Sequence, residues 1–296
     1  MQPLALIDTH THFDVPEFDA DRLTLAQQAH AAGVQAVVLI GFVASRFNDL
    51  IQTQQQINSS LQQPHPQALL APGLHPFYIQ EHTQDHLLQL ERILQSRPVV
   101  AVAEIGLDTF TAEMKQPAVF AKQQAFFSAQ LELARQFQLP VLLHIRRSHA
   151  EALAILKQHK FPYGGIAHSF GGGVEEAKAF ARLGFKLGVT GQVTNPNAKR
   201  LHQVVHAMGA EHLVLETDCP DMTPLCCQIA GQQRTRNTPV NLPYVLDGLY
   251  ESLNADHLTS LSDAQKIQEK AALARQIWQN SCLALHLDWA YPHADH

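Results

Sequence analysis

The chain has 296 residues, 16% of them charged, and a net charge of −6 with histidine neutral. That length suits one large domain or two small ones, and either can bury a substantial core. The mild negative charge argues against a long non-specific nucleic-acid track but leaves room for a small basic patch in a pocket.

The N-terminal MQPLALID has neither a basic n-region nor a long apolar stretch, and no apolar run nears the roughly 18 residues of a membrane span. The expectation is a soluble, cytoplasmic protein without a membrane segment. Cys219, Cys226, Cys227 and Cys282 show no CxxC spacing, so neither a disulfide framework nor a zinc ribbon is expected. The first apolar run, 4–7, reads as a short buried strand and leads into His10 and His12. Residues i and i+2 of a strand point to one side, about 6.5–7 Å apart. Two imidazoles so placed can lean onto one metal ion, with bonds of about 2.0–2.1 Å for zinc. Asp8 and Asp14 put carboxylates close by. A histidine-rich loop is the alternative for these residues alone, because the chain has 18 histidines.

Apolar runs recur at 36–40, 68–74, 99–105, 141–145, 165–167, 186–189 and 213–215, making eight in all. Helical periodicity fills 21–33, 85–96, 116–138, 148–160, 174–183 and 198–208, and the Gln-rich patch 52–63 also sits on a helical pattern. Strand–helix alternation implies parallel strands with crossover helices. Eight repeats over roughly 250 residues is the count and length of a (β/α)8 TIM barrel. The remainder, 241–296, reads as a helical C-terminal extension, with helices near 242–253 and 263–282. The whole of 1–296 is taken as a single domain. A doubly wound open sheet would use the same alternation and is the structural alternative.

In such a barrel the chemistry gathers at the C-terminal ends of the strands. The residues ending the runs are His10 and His12, His75 in GLHP, Glu104 and Asp108 in AEIGLD, His144 and Arg146 in LLHIRR, His168 in AHSF, and Glu216 and Asp218 in ETDCP. So many titratable groups at one rim are costly unless something pairs them. A metal does so, and it needs neutral imidazole and ionised carboxylate. His10, His12, Glu104, His144, His168 and Asp218 are therefore the candidate ligands. Each has a plainer reading: strand-end histidines as loop hydrogen-bonders, Glu104 as a buried structural carboxylate, Asp218 as a cap. Glu216 should share the inward face of Asp218, as a structural hydrogen-bonder or a support for a ligand. His82/His86 and His202/His206 are spaced as helical i,i+4 pairs and read as solvated.

The ordered set DTHTHFD, GLHP, AEIGLD, LLHIRR, AHSF and ETDCP resembles the TatD-like metal-dependent hydrolases, a family of (β/α)8 barrels that includes deoxyribonucleases. The likeness runs from residue 5 to about 240. It implies a site for two divalent metal ions: His10, His12, Glu104 and Asp218 around one, and Glu104, His144 and His168 around the other, with Glu104 bridging. The segment 220–231, with Cys226 and Cys227, matches no motif. Two cations about 3.5–4 Å apart can activate a water and stabilise the attacking and leaving oxygens of a phosphodiester. The ligand types suit zinc, manganese or magnesium without choosing among them.

Glu104 and Asp218 are thus the catalytic candidates, with Asp218 orienting or deprotonating the water. Arg146 is the first candidate to grip a phosphate, bidentately, and His75 the second for substrate contact. Arg234 and Arg236 have two readings, a positive lip or ordinary surface arginines. The leading expectation is a phosphodiesterase acting on DNA ends or single strands, with no obligate protein partner. An amidohydrolase, lactonase or ester-cleaving deacylase is the alternative. It is weakened because related barrels often bridge their metals with a modified lysine on the fourth strand, which here offers Glu104. A non-catalytic binding module is the third reading, disfavoured by the complete ligand set.

Overall fold

The structure is a computed structural model describing residues 3–60, 64–256 and 258–292; the end of the Gln-rich patch, 61–63, lies outside the described residues. Strands and helices alternate: β1 (Leu6–Thr11), α1 (Arg22–Ala31), β2 (Val34–Ile40), α2 (Phe47–Asn58), β3 (Gln67–Ala71), α3 (Gln84–Ser96), β4 (Val102–Asp108), α4 (Pro117–Gln136) and β5 (Val141–Arg146). The chain continues with α5 (His149–Gln158), β6 (Gly165–Ala167), α6 (Val174–Arg182), β7 (Phe185–Val189), α7 (Lys199–Met208), β8 (Leu213–Leu215), α8 (Leu242–Leu253) and α9 (Asp263–Ala284). All ladders are parallel, in the orders β1–β2–β3 and β4–β5–β6–β7–β8.

The two sheets meet at two seams. Between β3 and β4, Val100 N donates to Leu70 O at 2.9 Å and Ala103 N to Pro72 O at 3.0 Å. Gly73 permits this approach, since a Cβ there would lie 2.5 Å from the Ala103 carbonyl. Between β8 and β1, Asp218 N donates to His10 O and His12 N to Cys219 O, both at 3.0 Å. Asp8 adds to this seam by accepting from Thr217 N and Thr217 Oγ1 at 2.9 and 2.6 Å. The architecture is the expected (β/α)8 barrel.

The apolar residues divide between two layers. Ile7, Val38, Ile40, Leu69, Ala103, Leu142, Ile166 and Val214 fill the barrel, and Trp278, Cys282 and Leu285 pack on the same cluster. The C-terminal helix α9 thus closes one end of the barrel, against β1, β7 and β8. The larger cluster lies between strands and helices and includes Leu6, Val37, Leu39, Leu70, Phe127 and Phe180. α2 buries Phe47, Leu50, Ile51 and Ile57, so the helix begins well before the glutamines.

β1 and β4 extend past the expected 4–7 and 99–105 because their polar ends are strand, not loop. Both depart from strict two-residue alternation. Ile7 and His10 both face inward, three residues apart, across a register irregularity between Asp8 and Thr11. Ala103 and Glu104 both face inward across one between Val102 and Ile105. Such bulges re-aim side chains beside active sites.

Candidate metal centre

Glu104 is buried at the barrel mouth, and its two oxygens face different partners. Oε2 lies 3.3 Å from His10 Nε2 and 3.5 Å from His12 Nε2. Asp218 Oδ1 stands 3.7 and 3.8 Å from the same two nitrogens. Tetrahedral ligands about 2.1 Å from one ion are about 3.4 Å from each other, so these donors already have the mutual spacing of a shared cation. Oε1 lies 2.9 Å from His144 Nδ1, 3.3 Å from His75 Nε2 and 3.8 Å from His168 Nε2. His168 Nε2 is also 3.6 Å from Asp218 Oδ2, and its ring stacks on that of His10 with centroids 3.5 Å apart. His10 is fully buried with neither ring nitrogen hydrogen-bonded. An interior imidazole left in that condition is costly, and a cation on Nε2 would satisfy it.

A second layer fixes which nitrogen each imidazole turns to the centre. Asp108 Oδ2 lies 2.8 Å from His144 Nε2, which donates to it and leaves Nδ1 for the Glu104 side. Glu216 Oε1 lies 2.9 Å from His168 Nδ1 and accepts from Ser169 N at 2.6 Å, leaving His168 Nε2 directed inward. Gly188 makes room for that carboxylate, since a Cβ there would lie 2.4 Å from Glu216 Oε1. Glu216 therefore takes the supporting position. Asp108 holds the equivalent position for His144. It was legible as a strand residue on the face of Glu104, four positions on, but carried no expected role. His75 Nδ1 accepts from Phe77 N at 2.9 Å, so its proton sits on Nε2 and it faces Glu104 as a donor.

Burial and these contacts set the charges. Burial pushes His10 and His75 down to about 4, with neighbouring Glu104 opposing the shift in both. Burial also works against the charged forms of His144 and His168, but carboxylates win. Asp108 and Glu104 raise His144 to about 9, and Glu216, Asp218 and Glu104 raise His168 to about 10. Against its own burial, Glu104 is held well below the usual carboxylate range by His75, His10 and His168. Burial lifts Asp218 to about 6, with His168 and His12 opposing. The backbone of Asp218 has φ 53°, a left-handed conformation that aspartate tolerates better than most residues.

The mouth opens into a pocket of about 680 Å³ whose lining includes His12, Glu104, Arg146, Arg147, His168 and Asp218. Arg146 is at the pocket, with its guanidinium stacked over the Phe110 ring. His149 also lines the pocket, and its Nε2 is buried without a hydrogen-bond partner.

Two expectations need correction, and two open readings close. His82 is buried, not solvated; it precedes α3, and its Nε2 bonds His75 O at 2.9 Å. His202 is half-buried, with Nδ1 on Ser252 Oγ and Nε2 on Asn195 O. Arg234 and Arg236 are not a free positive lip. Arg234 pairs with Glu17 and Asp221 at 3.1 and 2.8 Å, and Arg236 with Asp21. Asp8 and Asp14 stay outside the cluster, the first bonded to Thr217 and the second to Arg46.

Comparison with known proteins accords with this geometry. The family model described as TatD related DNase matches residues 7–286. The metal-dependent hydrolase YjjV of Escherichia coli (strain K12) is 38% identical over 73% of this chain and 80% of its own length. The 3′-5′ ssDNA/RNA exonuclease TatD of Edwardsiella piscicida is 32% identical over 82% of this chain and 89% of its own. The crystal structure of the Escherichia coli K12 TatD homologue YjjV superposes with a TM-score of 0.79 at 33% identity, covering 95% of this chain and 98% of that one. With its barrel, its strand-end carboxylates and imidazoles, and this similarity along nearly its whole length, the chain belongs to the TatD-related DNase family of metal-dependent hydrolases.

Proposed function

We propose that this chain uses two divalent ions, zinc, manganese or magnesium, to hydrolyse phosphodiester bonds at the ends of single-stranded DNA or RNA. One observation carries the reading: Glu104 turns Oε2 to His10 and His12 and Oε1 to His144, the arrangement of a bridging carboxylate. His10, His12, Glu104 and Asp218 would hold one ion, and Glu104, His144 and His168 the other. When bound, such ions supply an activated water and neutralise charge on the phosphate.

The chain's own groups complete the site. Asp218 Oδ2 faces His168 rather than His10 and His12, and is assigned to take the proton of the attacking water. His75 Nε2–H, 3.3 Å from Glu104 Oε1 here, is assigned to a non-bridging phosphate oxygen once an ion engages that carboxylate oxygen. Arg146, at the pocket, is assigned to grip the phosphate. The substrate class is supported by the TatD exonucleases above. Cytoplasmic residence is supported by four cysteines that are all free thiols. A single domain over 1–296 is supported by α9, which packs against β1 and β8.

The test is release of mononucleotides from single-stranded DNA and RNA with added Mg²⁺ or Mn²⁺, beside elemental analysis of the protein. Release that falls with Glu104→Gln supports the reading. No release from a protein holding its metal overturns it, and a parallel panel of lactones, cyclic amides and aminoacyl esters would then identify the bond attacked.

A further inference from the structure

Most arginines near the barrel mouth are neutralised by carboxylates: Arg46 by Asp14 and Asp49, Arg200 by Glu176, Arg234 by Glu17 and Asp221, Arg236 by Asp21. Arg146 and Arg147 form no ion pair among the described residues, and both line the metal pocket. Both guanidinium carbons instead lie over one ring, Phe110, at 3.5 and 4.7 Å from its centroid. Phe110 is itself 41% exposed, one of the few large apolar side chains left in solvent.

Consecutive strand residues point to opposite faces, so two adjacent arginines meet one ring only if the strand breaks between them. It does: Arg146 ends β5 and Arg147 has φ 57°, a left-handed conformation uncommon for any residue but glycine. Thr109 fixes the kink through its Oγ1, which donates to Arg147 O at 2.8 Å, while Thr109 N donates to Arg146 O at 3.0 Å. Phe110 N donates at 2.7 Å to Asp108 Oδ1, whose other oxygen holds His144. One carboxylate thus fixes both a candidate metal ligand and the aromatic ring. Strained backbone of this kind clusters at ligand clamps.

A guanidinium stacked on a ring commits its face and keeps its in-plane N–H donors for an anion. An exposed ring beside such donors is the pairing that single-stranded nucleic acids need, because every base has a π-face and every link a phosphate. We infer that Phe110, Arg146 and Arg147 form a nucleotide platform beside the metal centre. The guanidinium edges take backbone phosphate, and the exposed part of the Phe110 ring takes the base of one of the last two nucleotides. The inference rests on the nucleic-acid reading above and adds to it a base-contacting subsite.

The test is a cycle between one substitution and one missing base. Strands of one sequence carry a normal end, an abasic terminal residue, or an abasic penultimate residue. Phe110→Leu keeps apolar bulk and removes the ring. It should raise KM on the normal strand about tenfold with kcat little changed, and Phe110→Tyr should restore the wild-type KM. At one of the two abasic positions the Leu penalty should shrink by about fivefold or more, the non-additivity of groups in contact; that position names the stacked base. An equal Leu penalty on all three strands, or none on any, overturns the platform while leaving the hydrolase reading intact. A wild-type protein that holds metal and cleaves none of the strands overturns both.

Discussion

Replacing Asp108 by asparagine is expected to weaken metal binding more than replacing it by alanine. Asp108 Oδ1 accepts from Phe110 N at 2.7 Å, and Oδ2 lies 2.8 Å from His144 Nε2. Asparagine keeps its oxygen on Phe110 N, so its amide N–H₂ meets His144 Nε2. Two donors then face each other unless the imidazole moves its proton to Nδ1. That is the nitrogen 2.9 Å from Glu104 Oε1, and a protonated Nδ1 cannot bind a cation. Alanine removes the preference without imposing the wrong tautomer. Loss of such a supporting partner costs about 10–100-fold in metal affinity, or about 1.4–2.7 kcal/mol. Titration against a chromophoric chelator should find one site of wild-type affinity, held by His10, His12 and Asp218, and one weakened site. Equal affinities for both ions in the asparagine variant, or an alanine variant weaker than the asparagine one, would refute the tautomer reasoning.

Asp218→Asn should lower kcat on single-stranded DNA by about 10²–10⁴-fold, the usual range for a group that moves a proton; unchanged kcat in a protein with its metal retained would remove Asp218 from that role. Burial pushes His82 down to about 4, with its bond to His75 O opposing. The unfolded chain therefore binds more protons between pH 6.5 and 4, and stability is lost as pH falls through that window. Relative to pH 7, His82→Gln should gain about 1–2 kcal/mol on the wild type at pH 5 in denaturant unfolding, and a pH-independent difference would contradict it. Arg234→Ala should cost about 0–1 kcal/mol, as exposed pairs do, and leave KM for strands unchanged, because Glu17 and Asp221 already neutralise that arginine. If Arg146 and Arg147 are the two side chains that meet backbone phosphate, log KM should rise with log salt at a slope of about 1.4 for single strands; a slope several times larger would mean a wider basic surface.

The barrel and most of its rim were legible because parallel strands buried on both faces leave continuous apolar runs. Their polar ends fall at one place by topology alone. β6 and β8 and the helix α8 have the expected bounds. The bulges in β1 and β4 left no trace in composition, since a register shift depends on the neighbouring strand. Spacing did place His10 and His12 on one side, but only the register shift between Asp8 and Thr11 turns that side inward. The charge of Arg234 was visible and its partners were not: Glu17 lies 217 residues away in sequence. His82 differs for another reason: its partner lies only seven residues back but is a backbone carbonyl, which no side-chain pattern announces.

For a chain of net charge −6 to take a polyanion, as proposed, it must separate local from global charge. Here the separation is made by pairing. Arginines around the mouth that meet carboxylates add little field beyond their own contacts, since opposite charges a few ångströms apart cancel within a Debye length of about 8–10 Å. Arg146 and Arg147 form no ion pair among the described residues, although the charge of Arg146 reaches Asp108 on the neighbouring strand, and what lies beneath both guanidiniums is a ring. Phe110 attracts the two cations without neutralising them, and keeps like charges close that would otherwise separate. A carboxylate in the place of Phe110 would hold the same geometry more tightly and abolish its use. The aromatic residue is therefore the choice that lets two guanidiniums be positioned and still remain positive toward a phosphate.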